Sequence, residues 1–128
     1  MSHKTTILIV DDEIVSRSKI EEILDLKEDY TLVFAADGIQ ALEKVEIVTP
    51  DLVFLDAMMP GINGFEVCRR LRNNPRLANL PVVMVTARDD PTARLRCLEL
   101  GATDVICKPF DHYELNVMVY KFTQSSQE

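Results

Sequence analysis

Four short aliphatic runs, Ile7 to Val10, Leu52 to Leu55, Val82 to Val85 and Val105 to Cys107, carry no polar alternation. Runs of this length read as strands buried on both faces, as parallel strands covered by helices are. Between them the period changes. From Ile14 to Leu26 the apolar residues Ile20, Ile23 and Leu24 fall among charges, which predicts an amphipathic helix, and Tyr30 to Ala35 reads as a further strand. Asp37-Gly38 supplies an N-cap for a helix running to about Val48, with Ala41, Leu42 and Val45 inward and Pro50 as its stop. The loop Pro60 to Gly64 opens a helix from Phe65 to about Arg72, where Phe65, Cys68 and Leu71 recur at helical spacing. Pro75 and Pro81 bracket the link to the next strand.

Asp90-Pro91 has the form of an N-cap followed by proline at the first helical position, and Gly101 fits the glycine stop of that helix, with Leu95, Cys97 and Leu98 expected inward. The last helix, His112 to about Thr123, places Leu115, Met118, Val119 and Phe122 on one face. A second stripe, Tyr113, Val117 and Tyr120, recurs on another face and reads either as a wider core contact or as a partner surface. Gln124 to Glu128 reads as a frayed end or the start of a linker. Strands and helices alternating five times predict an α/β fold, a parallel sheet covered on both faces through right-handed crossovers.

At 128 residues the chain has the size of one domain, with a core expected from about residue 5 to 123. With 47% hydrophobic and 27% charged residues, it has the composition of a globular protein. No apolar run reaches bilayer length and the first residues are too polar for a signal peptide, so a cytoplasmic protein is expected. A net charge of -7 opposes direct nucleic-acid binding, which demands a basic footprint. Cys68, Cys97 and Cys107 lack metal-type or framework spacing and read as buried free thiols, and His3 and His112 read as surface residues.

The chemistry sits where the strands end. Asp11-Asp12, Asp56, Thr86 and Lys108 follow the four aliphatic runs, and ligands of open parallel sheets bind at the carboxyl ends of the strands. Each aspartate alone is also a common turn residue. Three carboxylates converging on one lysine would repel one another, and a hard divalent cation such as magnesium (Mg2+) resolves the conflict, with Asp12 a direct ligand and Asp11 one through water. Asp56, alone at the end of the central strand, is then the candidate nucleophile toward a phosphoryl group. Lys108, Thr86 and nearby backbone amides would neutralise the phosphoryl oxygens. A cis bond at Lys108-Pro109 would aim the lysine inward, whereas trans is the generic expectation.

The set Asp11-Asp12, Asp56 with Met59-Pro60-Gly61 and Gly64, Thr86-Ala87 and Lys108-Pro109 resembles a response-regulator receiver domain of two-component signalling, chemotaxis regulators included, over essentially the whole chain. The resemblance implies a single-domain, flavodoxin-like, doubly wound sheet of five parallel strands in the order 2-1-3-4-5 with five helices. It implies that Asp56 accepts phosphate from a histidine kinase or a histidine phosphotransfer protein. Asp11, Asp12, Asp56 and the Met58 carbonyl would serve magnesium, Thr86 and Lys108 would read the phosphoryl group, and the Ala87 backbone would face it. The Lys-Pro bond is usually cis in the family. Such a chain is a signalling module, catalysing only its own phosphorylation and dephosphorylation, and not an enzyme acting on other substrates. Its output would leave through the face made by the helix after Pro91, the fifth strand and the last helix, where Tyr113, Val117 and Tyr120 would serve self-association or an output partner.

Two departures qualify the resemblance. Many receivers carry an aromatic three residues before the lysine, where this chain has Val105, so the signal is expected through the Thr86-Ala87-Arg88 loop and the helix after Pro91. Met58 and Arg88 occupy positions that tune acyl-phosphate hydrolysis in the family, and an apolar Met58 with a bulky Arg88 predicts slow decay. The rival readings are a magnesium-dependent aspartyl-phosphate phosphatase, which would want a second aspartate two residues after the nucleophile, flavin binding, which would want a Ser/Thr/Gly-rich loop after strand one, and a partner-binding pseudo-receiver.

Overall fold

The computed structural model describes residues 5–24, 30–87 and 90–123. Strands β1 (Thr5–Val10), β2 (Tyr30–Ala35), β3 (Leu52–Asp56), β4 (Val82–Ala87) and β5 (Asp104–Lys108) alternate with helices α1 (Ile14–Leu24), α2 (Gly38–Val48), α3 (Gly64–Asn73), α4 (Pro91–Glu99) and α5 (His112–Thr123). All neighbours pair in parallel in the order β2-β1-β3-β4-β5, as the resemblance implied. The chain leaves β1 toward one edge to form β2 and then crosses to the other side for β3. That reversal opens a crevice at the carboxyl ends of β1 and β3.

Apart from the half-buried Cys107, the aliphatic runs are buried because both sides of the sheet are covered, and alternate residues enter two separate cores. Leu8, Val10, Val53, Leu55, Val82, Met84 and Val105 pack with Ala41 and Val45 of α2, Phe65, Val67, Cys68 and Leu71 of α3, and Cys97 of α4. Ile7, Ile9, Leu52, Phe54, Val83, Val85 and Ile106 pack instead with Ile20, Ile23 and Leu24 of α1 and Leu115 and Val119 of α5. Edge strand β2 is only partly covered.

Helix boundaries follow local chemistry. Asp37 caps α2 by accepting from Gln40 N–H, Asn63 caps α3 by accepting from Glu66 N–H, and Asp90 caps α4 by accepting from Ala93 N–H with Pro91 at the first turn. Asn74 starts a 3-10 turn, Pro75–Leu77, which the pair of prolines had marked only as a link. Gly101, at φ +99, supplies the left-handed residue that ends α4.

Arg72 of α3 ties this end of the sheet together. Its guanidinium donates to Gly101 O at 2.7 Å, Leu77 O at 3.1 Å and Thr103 Oγ1 at 3.1 Å, joining α3, the 3-10 turn and the start of β5. A planar fork of fixed donors suits three divergent acceptors, as a lysine would not.

The expected packing of α4 needs correction. Cys97 is buried, but Leu95 is 60% and Leu98 44% exposed. Its inward line runs through Ala93, Cys97 and Leu100, spaced i, i+4, i+7, so Leu95 and Leu98 fall on the outer side of a short helix with little core contact. Cys68 is buried as expected, Cys107 only half-buried. Tyr113, Val117 and Tyr120 are exposed, so the second stripe of α5 is not core. His112 is exposed as expected; His3, the end of the first helix at Leu26 and the tail from Gln124 lie outside the described residues.

Gly64 lies where α3 passes over the end of β3. Its N–H donates to Ala57 O at 3.1 Å, and an added Cβ would fall 2.1 Å from Asp56 O and 2.8 Å from Ala57 Cα. Backbone cannot yield as a side-chain tip can. We expect Gly64→Ala to lower stability by about 2 kcal/mol or more, as overpacking against a rigid neighbour does, measured by urea denaturation. Wild-type stability in the variant would show that α3 is not seated on β3 in this way.

Candidate functional site

The crevice at the carboxyl edge gathers residues from four strands. Asp11 and Asp12 follow β1, Asp56 ends β3, Thr86 and Ala87 end β4, and Lys108 ends β5. One carboxylate oxygen from each of Asp11, Asp12 and Asp56 lies within 4.8 Å of the others. Asp11 is 3% and Asp56 6% exposed, while Asp12 opens to solvent. The Lys108 ammonium donates to Asp11 Oδ2 and Asp56 Oδ2, each at 3.3 Å, bridging the first and third strands from the fifth. The Lys108-Pro109 bond is cis.

Backbone amides fix the other carboxylate oxygens. Asp56 Oδ1 accepts from Met58 N–H at 3.0 Å, and Asp11 Oδ1 from Glu13 N–H at 2.9 Å. Arg17 donates to the Asp11 carbonyl at 3.1 Å, and Asp11 N–H donates to Ala35 O at the end of β2. Both oxygens of Asp56 are thus held, which sets the plane of its carboxylate.

Burial and neighbouring charges both show in the titration of the pair. Burial pushes the Asp56 carboxyl up to about 6 from an ordinary 3.8; the Met58 amide and Lys108 oppose this, and Asp11 adds to it. For Lys108 burial works against the ammonium, but Asp56 and Asp11 outweigh it and hold its pKa above the ordinary value. Three carboxylates with one close ammonium leave an excess of negative charge. The donors are all hard oxygens, with no nitrogen or sulfur ligand among them, so the set fits a cation of the magnesium type and not zinc.

The crevice has a volume of about 780 Å³ and is lined by Glu13, Ser16 and Lys19 of the β1–α1 side, Asp56, Met58, Thr86 and Ala87, and Lys108, Pro109 and Phe110. Thr86 is buried, and its hydroxyl lies 3.8 Å from the Cys107 thiol, with which it can share a hydrogen bond. The Met58 side chain is 70% exposed at the rim, and Ala87 is exposed beside it. Arg88, expected to shield the site, lies outside the described residues.

The residues assigned to the site from the sequence, Asp11, Asp12, Asp56, Met58, Thr86, Ala87 and Lys108, thus come to one edge of the sheet. Sequence reasoning missed the contribution of α1. The Glu13 carboxylate lies 3.6 Å and Ser16 Oγ 3.5 Å from Lys108 Nζ, and the Lys19 ammonium sits 5.1 Å from the centre of the Phe110 ring. Polar residues in the first turns of an amphipathic helix look like an ordinary solvated face. Only the direction of α1 away from β1 shows that they line the crevice.

The chain is similar to known proteins in sequence and in fold. The chain is 38% identical over 121 residues to the alkaline phosphatase synthesis transcriptional regulatory protein PhoP of Bacillus subtilis, covering 94% of this chain and 49% of that one. It is 40% identical over 118 residues to the response regulator PleD of Caulobacter vibrioides, covering 92% of this chain and 26% of PleD. It thus spans half or less of these relatives. The crystal structure of the signal receiver domain of a signal transduction histidine kinase from Syntrophus aciditrophicus superposes with a TM-score of 0.88 at 31% identity, covering 97% of this chain and 93% of that one. The response regulator receiver domain family matches residues 7–120, and with the sheet order, the clustered aspartates and the bridging lysine already described, the chain belongs to that family, the receivers of two-component phosphorelay signalling.

Proposed function

We propose that Asp56 accepts a phosphoryl group from a histidine kinase or histidine phosphotransfer protein in a magnesium-dependent reaction, and that the change shifts the domain between two conformations that control a partner or an attached output domain. The observation that carries this reading is the Lys108 ammonium held between Asp11 and Asp56 at 3.3 Å from each, within a cluster of three carboxylates. A structural ion pair needs one carboxylate; this one has an excess that a further cation would offset.

Asp11, Asp12, Asp56 and the Met58 carbonyl are the groups to hold Mg2+. When bound, the ion supplies positive charge that lets the carboxylates ionise together and offsets the phosphoryl oxygens. The protein's own groups do the rest. Asp56, its plane fixed by Met58 N–H and Lys108, presents one oxygen to phosphorus; the new O–P bond forms as the N–P bond of the donor phosphohistidine breaks, and the imidazole nitrogen keeps the electron pair. Lys108, the Thr86 hydroxyl and the Ala87 N–H then take the phosphoryl oxygens. Phosphorylation adds a charge of about -2 to an acidic crevice, so the state persists through these contacts, and they favour the active conformer.

The output surface in this reading is the α4, β5, α5 face. Tyr113 and Tyr120 are 77% and 66% exposed, and Leu95, Leu98 and Val117 are exposed with them, an apolar area suited to self-association or to an output partner. The chain acts as a signalling module in the cytoplasm, not as an enzyme on other substrates, and makes no direct contact with nucleic acid at its net charge of -7. No helix among the described residues is long and apolar enough to cross a membrane.

Intact mass after incubation with acetyl phosphate should show one added phosphoryl group that requires magnesium and is missing in Asp56→Asn. An adduct that survives the substitution, or no adduct on the wild type together with no binding of beryllofluoride, would refute the assignment. Stability supplies a second check. Between pH 3.8, where unfolded Asp56 titrates, and about 6, where the folded group does, the native state binds more protons than the unfolded one, so this carboxyl costs stability increasingly as pH rises through that window. In metal-free protein Asp56→Asn should therefore be more stable than wild type at pH 7 by on the order of 1–3 kcal/mol, with the advantage fading toward pH 4. Urea denaturation in EDTA at both pH values measures it; a variant no more stable at pH 7 would contradict the cost of ionising this buried carboxyl.

A further inference from the structure

Thr86 and Cys107 are partners in the β4–β5 register, and their side chains meet on the side of the sheet that faces α4, where Val105 is buried two residues earlier. The hydroxyl of Thr86 and the thiol of Cys107 are 3.8 Å apart, close enough for either to donate to the other. Thr86 is 3% exposed, and the Cys107 thiol is the hydrogen-bond partner its hydroxyl meets across the strands. Val105 offers it no polar group, and Lys108, the next residue of β5, is engaged with Asp11 and Asp56. Where the Thr86 hydroxyl is the donor to sulfur, it must release that bond before it donates to a phosphoryl oxygen.

From this geometry we infer that Cys107 is a positioning residue. Its thiol holds the Thr86 hydroxyl away from the phosphoryl-accepting site in the unphosphorylated protein and thereby sets how readily the domain enters its active arrangement. The inference rests on the reading of Asp56 as phospho-acceptor. Sulfur suits the task because its hydrogen bonds are weak: it satisfies a buried hydroxyl, yet yields to the charge-assisted bond that a phosphoryl oxygen offers. A partner of that strength biases an equilibrium without locking it. Cys68 and Cys97, by contrast, are buried in the core between α3 and α4, and burial raises the pKa of both thiols.

The test is a thermodynamic cycle in the intact chain, with beryllofluoride and magnesium as the probe and calorimetry as the readout. Cys107→Val, which keeps volume, and Cys107→Ala should each bind beryllofluoride about two- to fivefold more tightly than wild type, the effect of releasing one weak hydrogen bond, while magnesium alone binds as before. In a Thr86→Ala background the same substitutions should change nothing, because the group they release is gone. Alkylation of Cys107 by iodoacetamide, followed on its own peptide by mass spectrometry, should be faster in the beryllofluoride-loaded wild type than in the free protein. Unchanged or weaker beryllofluoride binding in both Cys107 variants, a gain that persists without Thr86, or equal alkylation rates would overturn the inference. Wild type that binds no beryllofluoride would instead overturn the reading of Asp56, and this one with it.

Discussion

Three carboxylates brought to one edge of a sheet are the constraint on which the rest of this structure depends. Left to themselves they would repel one another, and each would do better on the far side of the molecule. They stay together because β1 and β3 are buried on both sides and cannot shift independently, and because Lys108 reaches across from the fifth strand to the first and third. The cores on either side of the sheet supply the free energy that holds a locally unfavourable cluster in place. Charge crowding is stored in the folded protein, and in the proposed function a cation relieves it and a phosphoryl group reinstates it.

Much of this was legible in the chain. The aliphatic runs marked the strands because a strand covered on both faces has no polar alternation to blur it, and Asp37, Asp90, Pro91 and Gly101 marked helix ends because cap chemistry is local. The site was legible for the same reason: Asp56, Thr86 and Lys108 end runs that are unmistakable. What the sequence did not show depends on directions in space. Leu95 and Leu98 look like core residues in a nine-residue helix until the line Ala93, Cys97, Leu100 is seen to take the inward face. Glu13, Ser16 and Lys19 look like solvated positions until α1 is seen to leave β1 along the rim of the crevice. The meeting of Cys107 with Thr86 needs the register of β4 against β5, which no local pattern encodes.

The two helical layers are unequal partners of the sheet. The α1 and α5 side carries the crevice, and Lys19 and Phe110 close on each other beside it. The α2, α3 and α4 side is held by Phe65, Val67, Cys68 and Leu71 of α3, and there α4 contributes a single buried residue, Cys97, with Arg96 lying 4.1 Å from the centre of the Phe65 ring. Stability is therefore uneven, and the element nearest the Thr86 end of β4 is the one with least to lose by moving.

The Arg72 fork gives that unevenness a direction. By grasping Gly101 and Thr103 it pins the C-terminal end of α4 and the start of β5 to α3, and Ala102 N–H adds a bond to Cys97 O at 3.1 Å. At the other end of α4, among the described residues, Asp90 caps the helix by accepting from Ala93 N–H. Among the described residues the Gly101 end of α4 is thus the more firmly tied, and in the proposed function a displacement at the crevice would reach the exposed Leu95 and Leu98 as a tilt of the helix about that end.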